Sequence, residues 1–193
     1  MNKNNDSERR EYFRIDDEVS LEFTCITNEE YDSAPEFLKN LNNSSFSLSA
    51  DFATLNNSIH PLLNNISQQH PEVAEYLEFL NQKIDSMSQL LLQQETSFDE
   101  AKTTTVNLSA SGIMFETEQS LKVNDLLKME IVLLPEKTGI LIFGKVVSSK
   151  ESQDNNFKVA VEFEHIRFED QELMIKHNLN KQMADLREKS DNN

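Results

Sequence analysis

Thr103-Thr104-Thr105-Val106-Asn107-Leu108-Ser109-Ala110-Ser111-Gly112 decides how the rest of the chain is read. Four β-branched residues favour an extended backbone, and Asn, Ser and Gly then arrive together where a chain can reverse. Beyond it the apolar residues keep a period of two. Ile113, Phe115 and Thr117 alternate, then Leu127, Met129, Ile131 and Leu133, and later Phe157, Val159, Val161 and Phe163. Ile140 to Val147 is a more continuous apolar strand. Val123-Asn124-Asp125, Pro135 to Gly139 and Ser152 to Asn156 supply the turns. Upstream, Val19, Leu21, Phe23 and Cys25 alternate with polar residues in a half-buried strand. With Thr103 to Val106 this makes about six strands, which predicts a small antiparallel barrel in an α+β protein.

Between the first strand and the quoted stretch the β-pattern is absent. Residues 27–47 are loosely polar, with room for only a short helix near Glu36 to Leu41. Helical spacing begins with Phe52, Leu55 and Ile59 and resumes through Leu62, Leu63 and Ile66 after an interruption at Pro61. Pro71 suits the first turn of a new helix, because the N–H it lacks is one that a helix start leaves unpaired. Glu72 and Glu75 complement the positive end of the helix dipole. Val73, Leu77, Leu80, Ile84, Met87 and Leu91 then recur at intervals of four and three, a heptad seam on a helix over about 71–94. Three heptads are short for an isolated coil, so the seam predicts a bundle that uses both helical segments and a homo-oligomer formed through them. After the last strand, Glu169 or Asp170 is placed to cap a C-terminal helix carrying Leu173, Ile175, Leu179, Met183 and Leu186. It is expected to plug the barrel or pack on its wall. Residues 1–8 and those after Glu188 read as disordered.

The chain has 193 residues and a formal net charge of −16, with 18 Lys and Arg against 34 Asp and Glu. A DNA-binding surface needs clustered cations, so duplex binding is excluded as the main activity and any polyanion site must be local. Residues 27–100 hold only Lys39 and Lys83 as cations among twelve acids, whereas the flanks carry most Lys and Arg. One domain split by an insertion explains this better than two domains in series: 9–26 and 101–190 for the barrel, 27–100 for the helices. The single cysteine, Cys25, excludes an internal disulfide and a multi-cysteine metal site. The N-terminus has no apolar signal region and no stretch approaches a membrane span, so a cytoplasmic protein is expected.

Arg9-Arg10-Glu11-Tyr12-Phe13-Arg14 packs three guanidinium groups around two aromatics. Guanidinium is planar and always charged, and it bonds phosphate or a purine edge with two N–H groups at once. The alternative is a solvated cluster paired with Asp16, Asp17 and Glu18.

Arg10-Glu11-Tyr12-Phe13-Arg14 before a first strand, and Asn107-Leu108-Ser109-Ala110-Ser111-Gly112 at a strand end, together resemble the PilZ domain family, whose signatures are R-x-x-x-R and [D/N]-x-S-x-x-G. The resemblance covers roughly residues 8–26 and 101–190. It implies a six-stranded PilZ barrel, with a long helical insertion after the first strand and a C-terminal helix, that binds cyclic di-GMP. Arg10 and Arg14 would contact guanine edges and phosphates, Asn107 and Ser109 the base and nearby phosphate, and Gly112 would let the turn approach closely. Arg9, just ahead of the motif, goes in the family with an intercalated pair of ligands. The insertion is similar to that of an oligomeric subgroup in which long helices assemble tetramers. No further cofactor is implied.

An enzyme is disfavoured. His60, His70, His165 and His177 lack metal-ligand spacing, and neither a Gly-rich phosphate loop nor a nucleophile elbow occurs. The stronger rival is a ligand-free structural module acting through the helical insertion, with the arginines merely paired to acids. The downstream protein partner is not legible in either reading.

Overall fold

The computed structural model describes residues 13–41, 45–95, 103–152 and 156–191. Arg9, Arg10 and residues 1–8 lie outside these. Six strands, β1 (Ile15–Cys25), β2 (Thr104–Ser109), β3 (Gly112–Thr117), β4 (Leu126–Leu133), β5 (Thr138–Glu151) and β6 (Phe157–Ile166), close into a barrel in the order β1-β2-β3-β6-β5-β4. Every neighbouring pair is antiparallel.

Two long strands close the barrel. β1 pairs with β2 through Ile15–Val19 and with β4 through Val19–Cys25, so one strand serves two neighbours end to end. β5 runs along β4 and β6, with register shifts at Phe143/Gly144 and Val146/Ser148 that bend it. Inside lie Val19, Leu108, Ile113, Leu127, Met129, Ile131, Ile140, Ile142, Val146 and Val159, all fully buried. The alternation in the sequence therefore marks the core face.

β5 departs from alternation because both its faces are covered. Leu141 and Phe143 point outward under α1 (Asn28–Lys39), which buries Tyr31, Ala34 and Leu38 against them. This helix is much longer than the expected piece near Glu36 to Leu41. Its start is a capping box: Thr27 accepts from the Glu30 amide at 3.3 Å, and the Glu30 carboxylate accepts from the Thr27 amide at 2.8 Å. Pro35 sits inside it, and the one hydrogen bond it removes is outweighed by the buried apolar stripe.

α2 (Ser45–Gln69) runs through Pro61, where the helical spacing was expected to be interrupted. His70 alone separates it from α3 (Pro71–Glu95). Asn56 donates to Asp85 at 2.7 Å, and the two residues stand almost equally far from His70, so α2 and α3 form an antiparallel hairpin. The face of α3 turned inward carries Ala74, Leu77, Asn81, Asp85 and Ser88. Within one chain the heptad seam points elsewhere: Val73, Leu80, Ile84 and Met87 are exposed and Leu77 is half-buried, while the Leu91 side chain lies outside the described residues. Leu55, Ile59 and Leu62 of α2 are exposed as well.

α4 (Phe168–Asp191) plugs one end of the barrel with Met174, which is fully buried. It continues past Glu188, where disorder was expected. Asp170 does not cap it from outside but lies in the first turn and clasps Arg167 through two bonds of 2.9 and 2.7 Å. Among the described residues no helix is long and apolar enough to cross a membrane.

Candidate ligand site

The β2–β3 hairpin turns through Ala110 and Ser111, with Ser109 paired to Gly112. Neither loop residue is left-handed, since among the described residues positive φ outside glycine occurs only at Asn124 and Lys137. Gly112 is not left-handed either. What requires glycine is the neighbouring strand. A Cβ at Gly112 would lie 2.6 Å from the Val161 carbonyl oxygen, and one at Gly144 would lie 2.7 Å from that of Glu162. Two of the three glycines thus flank β6 at the same level, one from each side. The turn is pressed onto β6, and the Phe163 amide fixes it further by donating to the Ser111 carbonyl at 2.9 Å.

Ser109 is 1% exposed, and its hydroxyl donates to the Gly112 carbonyl at 3.0 Å. In this conformation it closes the turn from within. From α4, Gln171 donates to the Ala110 carbonyl at 3.3 Å, so the plug helix also braces the turn.

Asn107 points the other way, toward β1. It stands directly across from Asp16, and its Nδ2 donates to an Asp16 carboxylate oxygen at 2.8 Å. One guanidinium nitrogen of Arg14 approaches Asn107 Oδ1 at 3.5 Å. The second arginine of one motif and the first residue of the other, 93 positions apart, meet on the barrel surface. Antiparallel pairing of β1 with β2 is what brings them together.

Beside this surface lies a polar cluster absent from the reading of the sequence. Asp17, adjacent to Asp16, points into the barrel mouth, where its side chain is wholly buried between His177 at 2.6 Å and Lys181, both on α4. Burial raises the pKa of Asp17, but the two cations outweigh it and hold the carboxyl below its usual range. Burial likewise works against a charged His177, yet the Asp17 and Glu136 carboxylates prevail and push it up to about 9. The cluster pins α4 to β1. Its signal was present in the sequence as an acid at an inward position of a strand, between Ile15 and Val19, with His177 and Lys181 one helical turn apart. Among the described residues no group of three His, Cys, Asp or Glu is arranged to hold a metal ion.

The chain matches the model of the PilZ domain over residues 82–179, just over half of its length. The chain belongs to the PilZ domain family. That family is one of cyclic di-GMP receptors, and its domains are generally non-catalytic binding modules. The matched stretch begins inside α3 and leaves out β1, because the helices separate the first strand from the rest of the PilZ barrel. No curated protein matches this chain. A crystal structure of a pathogenic protein from Xanthomonas campestris, described as a tetrameric PilZ domain self-assembled via a helical bundle, has the same fold. It is 12% identical over 91% of this chain and 89% of that one, with a TM-score of 0.56. A structure of an inhibitor of motility from Bacillus subtilis matches over 43% of each chain at 22% identity, with a TM-score of 0.39.

Proposed function

We propose that this PilZ protein is a cytoplasmic, non-catalytic receptor for cyclic di-GMP that works as a homo-oligomer. The observation that carries the reading is the approach of Arg14 to Asn107. In an otherwise acidic chain it sets a fixed cation beside a base-reading amide. A dianionic purine dinucleotide needs both: guanidinium for phosphate and guanine edges, and an acceptor for the guanine N–H donors. Arg9 and Arg10, outside the described residues, are further ligand contacts in this reading, and Arg9 favours an intercalated pair of ligands. Ser109 and Gly112 hold the turn on which the ligand rests. Residues 9–26 and 101–190 are the receptor unit, and 27–100 are the assembly unit.

The exposed apolar side chains of α3, from Val73 to Met87, support self-association, and the tetrameric Xanthomonas neighbour makes a helical bundle a reasonable arrangement. Large apolar side chains in a row on a free surface favour a partner that covers them.

Titration calorimetry with cyclic di-GMP tests the receptor reading. The wild type is expected to bind, and Arg14→Ala or Asn107→Ala to weaken binding at least tenfold, the size of a lost bidentate or charge-assisted contact. Affinity should fall with salt. A wild type that shows no heat, while still assembling, would favour the ligand-free structural module.

A further inference from the structure

We propose that Asp16 is a positioning residue for the ligand site: it locks the Asn107 carboxamide in the orientation that reads guanine. The inference rests on the receptor reading above and adds a residue that neither signature contains.

An asparagine carboxamide has a donor end and an acceptor end, and a half-turn about its last bond exchanges them. At position 107 the two ends face opposite charges. Nδ2 donates to the Asp16 carboxylate at 2.8 Å, and Oδ1 accepts from Arg14 at 3.5 Å. Turned over, the amide would set an N–H group against guanidinium and an oxygen against carboxylate, which are two repulsive contacts in place of two attractive ones. Asp16 holds the shorter bond, and register fixes its position, because it stands directly opposite Asn107 across the β1–β2 pair. The strands themselves therefore deliver the carboxylate to the amide. With the amide locked, the atom left to face a ligand beside Arg14 is an acceptor. Guanine presents adjacent N1–H and N2–H₂ donors on its Watson–Crick edge, whereas adenine presents an N1 acceptor there. A locked Oδ1 favours the first and repels the second.

The proposal makes an expectation opposite to simple electrostatics. Asp16 is an exposed acid beside a site for a dianion, so as a mere charge its removal should tighten binding. As an orienting group its removal should weaken it. We expect Asp16→Ala to lose about five- to tenfold in affinity for cyclic di-GMP at 150 mM salt, and preference over cyclic di-AMP to fall about tenfold, with Asp16→Asn retaining part of each. An aspartate at position 107 offers acceptors in either orientation. In the Asn107→Asp background, Asp16→Ala should therefore reverse sign and tighten binding, because only the repulsion between Asp16 and the dianionic ligand remains to be relieved. In ligand-free protein, the Asn107 side-chain amide protons should show one strongly hydrogen-bonded resonance that is lost in Asp16→Ala.

Equal or tighter cyclic di-GMP binding by Asp16→Ala, with unchanged preference over cyclic di-AMP, overturns the proposal while leaving the receptor reading standing. A wild type that binds neither nucleotide overturns both. An Asn107 amide spectrum that Asp16→Ala does not alter overturns the positioning role whatever the ligand does.

Discussion

The barrel and the α2–α3 hairpin are built from equally regular apolar patterns and use them in opposite ways. In the barrel every second residue of β4, from Leu127 to Leu133, is buried within the chain. In α3 the heptad residues Val73, Leu80, Ile84 and Met87 face outward, and apart from Leu77 the side chains turned inward are small or polar. Periodicity establishes which residues share a face. It does not establish whether that face is covered by the same chain. The difference lies in geometry: a strand in a closed barrel has only one interior to face, whereas a helix in a two-helix hairpin can turn its apolar stripe to its partner or away from it.

The contrast can be tested by substituting both patterns, and effects on the chain's own stability should fall in a definite order. Ile142→Ala stands first. Its side chain is fully buried in the barrel core, so truncation removes apolar contact and leaves a cavity. A loss of about 3 to 4 kcal/mol in urea unfolding is expected.

Next comes the cluster that joins plug helix to barrel. His177 stays protonated in the folded protein up to about 9, while its ordinary value is 6.5. Between those values the folded state holds a proton the unfolded state has released. The stabilisation is therefore full below about pH 6.5 and is lost as pH rises through about 9. Asp17 acts with the opposite sign, its contribution present at neutral pH and lost as pH falls below the carboxylate range. Thermal melts of the wild type should drop between pH 6.5 and 9.5 by the equivalent of about 3 kcal/mol at most. His177→Gln should be less stable at pH 6 and flat across that interval. A wild-type melt as flat as that of the variant would remove the charged pair from the account.

These two sites also mark how much the sequence could tell. Barrel strands, plug helix and both ends of α3 were legible because burial on one face writes a period into the chain, and the Arg14 and Asn107 signatures were legible as residue types at fixed spacing. α1 was missed because its apolar stripe has only Tyr31, Ala34 and Leu38, and the signal that starts it, Thr27 with Glu30, is a pair of polar residues in a polar stretch. Pro61 pointed to an interruption that α2 does not show. The Asp17–His177 pair was hidden by distance, with 160 positions between its members. At Gly112 the structure adds a constraint the sequence did not reveal, because a Cβ there would run into the Val161 carbonyl of β6.

The hairpin should give the smallest effect on the fold and the largest on assembly. Val73 and Met87 of the seam are 51% and 65% exposed in the single chain, so most of each side chain already faces solvent and replacing both by Asp removes little buried apolar area from it. Measured at low concentration, where mass action no longer favours any oligomer, the double variant should unfold within about 1 kcal/mol of the wild type. At high micromolar concentration light scattering should find the wild type at a multiple of 22.3 kDa and the variant at 22.3 kDa itself. Four new charges per pair of facing seams, in a region already rich in acids, disfavour any bundle that buries them. Cyclic di-GMP binding by the variant would show that the seam serves assembly alone. A monomeric wild type would mean instead that the exposed stripe is covered by something other than a second copy, and a variant that unfolds at every concentration would mean that the stripe belongs to the core of its own chain after all.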